Sequence, residues 1–148
     1  MQLTHRVVHL ALVAILAVTA SAVPTLSAKD WPQWRGAERL GLWTETGILK
    51  EFPEEGLTVK WRVPVNGGYS GPAVADGRVF VLDYLETEPR TMDGTERLIA
   101  LDEENGEILW THEWHTTYRM LMFTYATGPR ASPTVDGNRV YVTGSTGL

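Results

Sequence analysis

Apolar side chains fall into short alternating runs along the chain, separated by Gly, Pro, Asn and Asp, and few stretches hold a helical period. From Leu57 to Val65 the apolar set Leu57, Val59, Trp61, Val63 and Val65 alternates with Thr58, Lys60, Arg62 and Pro64, which predicts a strand with one buried face. Ala73 to Ala75, an Asp76-Gly77 turn and Arg78 to Tyr84 predict a hairpin. Arg97 to Leu101 places apolar residues on both faces of a further strand, Asn105-Gly106 supplies the positive φ angles of a tight turn, and a return strand runs through Trp110 to His115. Thr44 to Phe52 is expected to hold one helical turn, ended by Pro53 and Gly56.

The pattern then restarts. Thr116 to Thr127, rich in Tyr118, Met120, Leu121, Met122, Phe123 and Tyr125, reads as an insertion with a partly buried apolar side. After it, Pro133 to Val142 repeats Pro72 to Val81, with Pro72 and Pro133, and Val79 and Val140, each 61 residues apart. The second copy drops one residue before its Asp-Gly and adds one after it.

Within the first copy, Ala100, Asp102, Gly106 and Trp110 stand at fixed offsets in a strand-turn-strand setting. This spacing resembles the tryptophan-docking repeat of the PQQ-like (pyrroloquinoline-quinone-type) β-propellers, Ala-x-Asp-x-x-Thr-Gly-x-x-x-Trp, a family that includes quinoprotein dehydrogenases and BamB-like scaffold proteins. The resemblance implies that Asp102 and Gly106 shape the turn and that Trp110 wedges between adjacent four-stranded blades. Asn105 stands where the family has Thr, so an amide must replace a hydroxyl hydrogen bond or the bond is lost. By the same resemblance, Leu57 to Val65 supplies the outer strand of the last blade, and Asp30-Trp31-Pro32-Gln33-Trp34-Arg35-Gly36 opens the mature chain and packs on the propeller. Packing is preferred to a sugar-binding platform for Trp31, Trp34 and Trp43. The expected fold class is all-β: a partial propeller of about one and a half four-stranded antiparallel blades, where closed propellers have about 4–8 blades. The expected division is a leader over 1–28, an N-terminal extension over 29–56, and a truncated repeat domain over 57–148. Residues 29–148 alone are expected not to form a stable monomer.

The leader changes the picture of where the chain works. His5 and Arg6 precede an apolar run from Val7 to Ala20 and the small residues Ser21, Ala22, Ser27 and Ala28, the order of a secretory signal peptide. The run is short of the roughly 20 residues a membrane span needs, and cleavage is expected after Ala22 or after Ala28. The predicted location is periplasmic or secreted, in a bacterium, with no membrane span after cleavage. The absence of Cys removes disulfides and lipidation. A net charge of −5 in 148 residues argues against a nucleic-acid surface.

Candidate chemistry is sparse. Gly67-Gly68-Tyr69-Ser70-Gly71-Pro72 lacks the Lys-Ser/Thr and following helix of a phosphate loop, and suits instead the crowded entry of an inner strand. Glu86 to Asp93 lacks the ligand spacing of a calcium loop. His112 and His115, three apart in a strand, point to opposite faces and cannot share a metal ion. No catalytic, cofactor-binding or metal residue is assigned; Ala100, Asp102, Gly106 and Trp110 are structural. The expected function is that of an exported, non-enzymatic scaffold with protein partners and no cofactor. The alternative is the front of a PQQ-dependent alcohol or sugar dehydrogenase, which would use PQQ and calcium at the propeller axis.

Overall fold

The computed structural model describes residues 28–119 and 127–147. The leader through Ser27, with the Ala20-Ser21-Ala22 processing point, and Met120, Leu121, Met122, Phe123 and Tyr125 of the insertion lie outside the described residues. Six strands follow one another: β1 (Ala73–Ala75), β2 (Arg78–Glu86), β3 (Asp93–Asp102), β4 (Ile108–Thr117), β5 (Thr134–Asp136) and β6 (Arg139–Tyr141). β1 to β4 form one antiparallel sheet in sequence order, and β5 pairs with β6 in a second. The arrangement is a partial propeller: one complete blade and the inner hairpin of the next.

Register explains the core. Ala73, Phe80 and Ala100 lie opposite one another across β1, β2 and β3, as do Leu82 and Leu98 across β2 and β3. These five side chains are buried as one cluster, and Trp114, Val135, Val140 and Val142 pack against it. One face of the first blade is thus covered by the second hairpin. Each fully buried Leu or Phe contributes about 1.5–3 kcal/mol of transfer free energy. On the opposite face, Ile99 and Leu101 are also buried.

The two copies of the hairpin superpose in register, β5 and β6 lying 61 positions after β1 and the start of β2. The sequence reading placed a deletion and an insertion around the second Asp-Gly; the structure has neither. Both loops hold two residues. In the first, Asp76 and Gly77 both have positive φ; in the second, Gly137 alone does, and Asp136 belongs to the strand. Loop length is constant and turn chemistry has shifted by one residue.

Leu57 to Val65, expected to pair only with a last blade that this sequence does not include, forms no ladder: Trp61 and Val63 are half-buried against the first blade, while Leu57, Val59 and Val65 stay exposed. Alternation selects a strand only where an edge accepts its backbone bonds, and among the described residues none does. Two other expectations are corrected. Thr44 to Phe52 has no helical turn, its path broken at Gly47, whose φ is 78°. The turn after β3 spans five residues rather than two, and in it only Gly106 has positive φ.

Two carboxylates are fully buried in the blade. Asp83 receives Arg97 Nε at 2.8 Å and Nη2 at 2.6 Å, and also the backbone N–H and the amide of Asn66. Burial pushes its carboxyl up, but the Arg97 hydrogen bonds, the Asn66 N–H and the Arg97 charge outweigh it and leave it below its ordinary 3.8. The folded protein therefore binds the Asp83 proton less readily than the unfolded chain, so this stabilisation is full well above pH 3.8 and fades as the pH falls below it. Acid titration followed by circular dichroism should show Asp83→Asn flattening the loss of stability between about pH 5 and pH 2. Arg97→Ala, which strands the carboxylate, should cost about 3 kcal/mol at neutral pH.

Candidate functional site

The features with most chemistry lie where one repeat meets the next. Asp102 ends β3, and its Oδ1 accepts the backbone N–H groups of Glu104 (2.9 Å) and Asn105 (3.1 Å). Its own N–H reaches Glu107 O, and Gly106 N–H returns to Asp102 O. Asn105 Oδ1 accepts from Glu107 N at 2.8 Å, so the amide at this position is hydrogen-bonded within the turn. Gly106 is required twice. Its φ is 76°, and a Cβ there would lie 2.7 Å from the ring of Trp61.

Trp61, expected only as one member of the apolar face of Leu57 to Val65, meets this turn: its indole N–H donates to Glu103 O at 2.8 Å while its ring lies over Gly106. The available signal was the shared setting: Trp61 and Trp110 each precede one copy of the repeated hairpin. Ala100 is fully buried, leaving room for the ring of its neighbour Trp110 across the sheet. Trp110 itself is 40% exposed, touching Phe80 at a centroid distance of 6.0 Å. A bulge in β4 leaves Leu109 without a partner between the pairs Ala100–Trp110 and Leu101–Ile108, and Leu109 and Trp110 both line the same groove. That groove, of about 500 Å³, runs between the first blade and the second hairpin, with Arg78 and Arg139 at equivalent repeat positions on its rim.

The second buried carboxylate lies on the other side of the sheet from Asp83. Glu96 accepts from Trp114 Nε1 (2.9 Å), Tyr118 Oη (2.5 Å) and the N–H of Ser145 (3.2 Å), and Ser145 Oγ meets Tyr118 Oη at 2.7 Å. Burial, then the hydrogen bond to Glu96, raises the Tyr118 phenol well above its ordinary value. These groups fasten the loop after β6 to the first blade. Proton transfer is a poor use for them, because every Glu96 contact is a donor inside the protein.

The inner strands are occupied by the chain itself. Trp31 exchanges two backbone hydrogen bonds with Val74 of β1 (2.8 and 3.0 Å), and Pro32 O accepts from Val135 N of β5 at 2.8 Å. Beside these bonds stand Ala73, Ala75, Thr134 and the acidic Asp136, none of which is a cation that would pair with an anionic quinone. Trp31 packs as expected under Gly36, whereas Trp34 and Trp43 are exposed, Trp34 beneath the Arg35 guanidinium. His112 lies beside Trp114, and His115 contacts Asp93 at 3.1 Å, so the two imidazoles take separate partners. Among the described residues no three His, Asp or Glu side chains gather to hold a metal ion, and no helix is long and apolar enough to cross a membrane.

Gly106→Ala tests the turn and its tryptophan together. It should destabilise the protein by about 2–3 kcal/mol, through a left-handed alanine and a displaced indole. Tryptophan emission should shift to longer wavelength as Trp61 is released; an unchanged spectrum and stability would show the ring to be free of the turn.

Comparison with curated proteins gives no match, and comparison with solved structures gives none. The family model described as outer membrane protein assembly factor BamB matches residues 54–148, well over half of the chain and all six strands. The repeated hairpin and this match agree, and the chain belongs to the family of PQQ-like repeat proteins that this model describes.

Proposed function

We propose that this chain is part of an exported β-propeller that acts as a binding or assembly scaffold for other proteins, in the periplasm or outside the cell. Family membership is compatible with both a non-enzymatic scaffold and a quinone-dependent dehydrogenase. The observation that carries the scaffold reading is the use of the inner strands: Val74 and Val135 give their amides to Trp31 and Pro32, so their backbone groups are taken by the chain itself. Both buried carboxylates are likewise spent on joining segments rather than facing a cavity. The groove beside Leu109 and Trp110, rimmed by Arg78 and Arg139, has the aromatic and arginine composition common in protein contact sites.

Titration of the purified protein with PQQ and calcium, followed by tryptophan fluorescence, should give no saturable change; stoichiometric binding in the micromolar range would overturn the scaffold reading. A photo-reactive side chain at position 109 should give a discrete cross-linked protein adduct in the exporting host. Absence of any adduct would count against a partner at this groove.

A further inference from the structure

The longest edge strand of the fold is β4. It ends the order β1-β2-β3-β4, and among the described residues neither a strand nor an isolated bridge lies on its far side. Ile108 to Glu113 are exposed throughout. Just beyond β4, Tyr118 gives its N–H to Met92 O. Backbone bonds alternate in an antiparallel pair, so Trp110, His112, Trp114 and Thr116 spend theirs on β3, while Thr111, Glu113, His115 and Thr117 turn theirs outward. Such a row of open donors and acceptors is a template for another strand.

Charges also alternate across the sheet toward this edge. Asp83 of β2 lies opposite Arg97 of β3, and Arg97 lies opposite Glu113 of β4. The Arg97 guanidinium holds Asp83 by two hydrogen bonds, and the Glu113 charge adds to what keeps it protonated. Glu113 ends the row at the open edge.

We propose that β4 pairs antiparallel with β4 of a second copy of this chain, about a two-fold axis at Trp114. Such a contact is isologous, so each pair of residues occurs twice. Centring the axis on Glu113 would set that carboxylate against its own copy, and like charges directly opposite destabilise a sheet. Centring it on His112 or on His115 would leave Glu113 facing Thr111 or Thr117. With the axis at Trp114, Glu113 faces His115 and Thr111 faces Thr117. The row then continues through Asp83, Arg97 and Glu113 to His115 of the second copy, which has its own Asp93 at 3.1 Å. This register alone extends the alternation of charge from one chain into the next.

Sedimentation velocity of the purified chain over a range of concentrations tests the pairing, with circular dichroism to show that each variant keeps its sheet. A reversible monomer–dimer equilibrium is expected. Glu113→Arg and His115→Glu should each weaken the dimer roughly tenfold by breaking both Glu113–His115 pairs, and the double variant, which exchanges the two charges, should restore it. Where a charge exchange disturbs the sheet, Thr111→Pro serves instead: it removes an outward N–H and no bond to β3, and should abolish the dimer. A wild-type chain that stays monomeric to its solubility limit, or association indifferent to these substitutions, would overturn the proposal. Single variants that weaken the dimer without rescue by the double variant would overturn the register.

Discussion

The first blade is organised by two carboxylates buried on opposite faces of one sheet. Asp83 and Arg97 sit opposite each other on β2 and β3, and the remaining capacity of Asp83 is filled by Asn66, which lies outside the sheet. On the other face, Glu96 gathers Trp114 from β4, Tyr118 just beyond it, and Ser145 from the loop after β6. A buried charge left without donors costs several kcal/mol, so each carboxylate requires its outside segment to be in place. Each face of the blade is therefore bound to the piece of chain that covers it. Apolar burial supplies most of the stabilisation, and the carboxylates determine which segment does the covering.

This division accounts for what could be read from the sequence. The hairpin β1–β2, the strand-turn-strand around Gly106 and the repeat were legible because each depends on local pattern and turn chemistry. Alternation over Leu57 to Val65 reports a two-sided environment and not the presence of a neighbouring edge, so the pattern alone does not say whether a ladder forms. Trp61 was legible as part of an apolar face, but its contact with the turn at Gly106 was not, because that turn lies more than forty residues further along. Asp83 and Glu96 fall at polar positions of otherwise apolar strands, and nothing nearby in sequence announces that their donors are Asn66 and Ser145.

In the turn after β3 the Asn105 side chain accepts from the Glu107 amide and closes the loop on itself. Gly106 has no substitute, since both its backbone angle and the ring above it exclude a side chain. The sequences of the two hairpin loops differ. Within this chain the two hairpin loops keep one length, and the left-handed glycine at Gly106 is fixed by its surroundings.

The bonds from Trp31 and Pro32 to the two inner strands bear on the order in which the protein acquires structure. Pro32 closes on Val135, roughly a hundred residues further along, and contacts of such separation form slowly because a long loop must first be ordered. The earliest residues of the fold are thus among the last to find their partners. A chain that emerges amino-terminus first carries this segment unpaired until the second hairpin exists, which delays compaction.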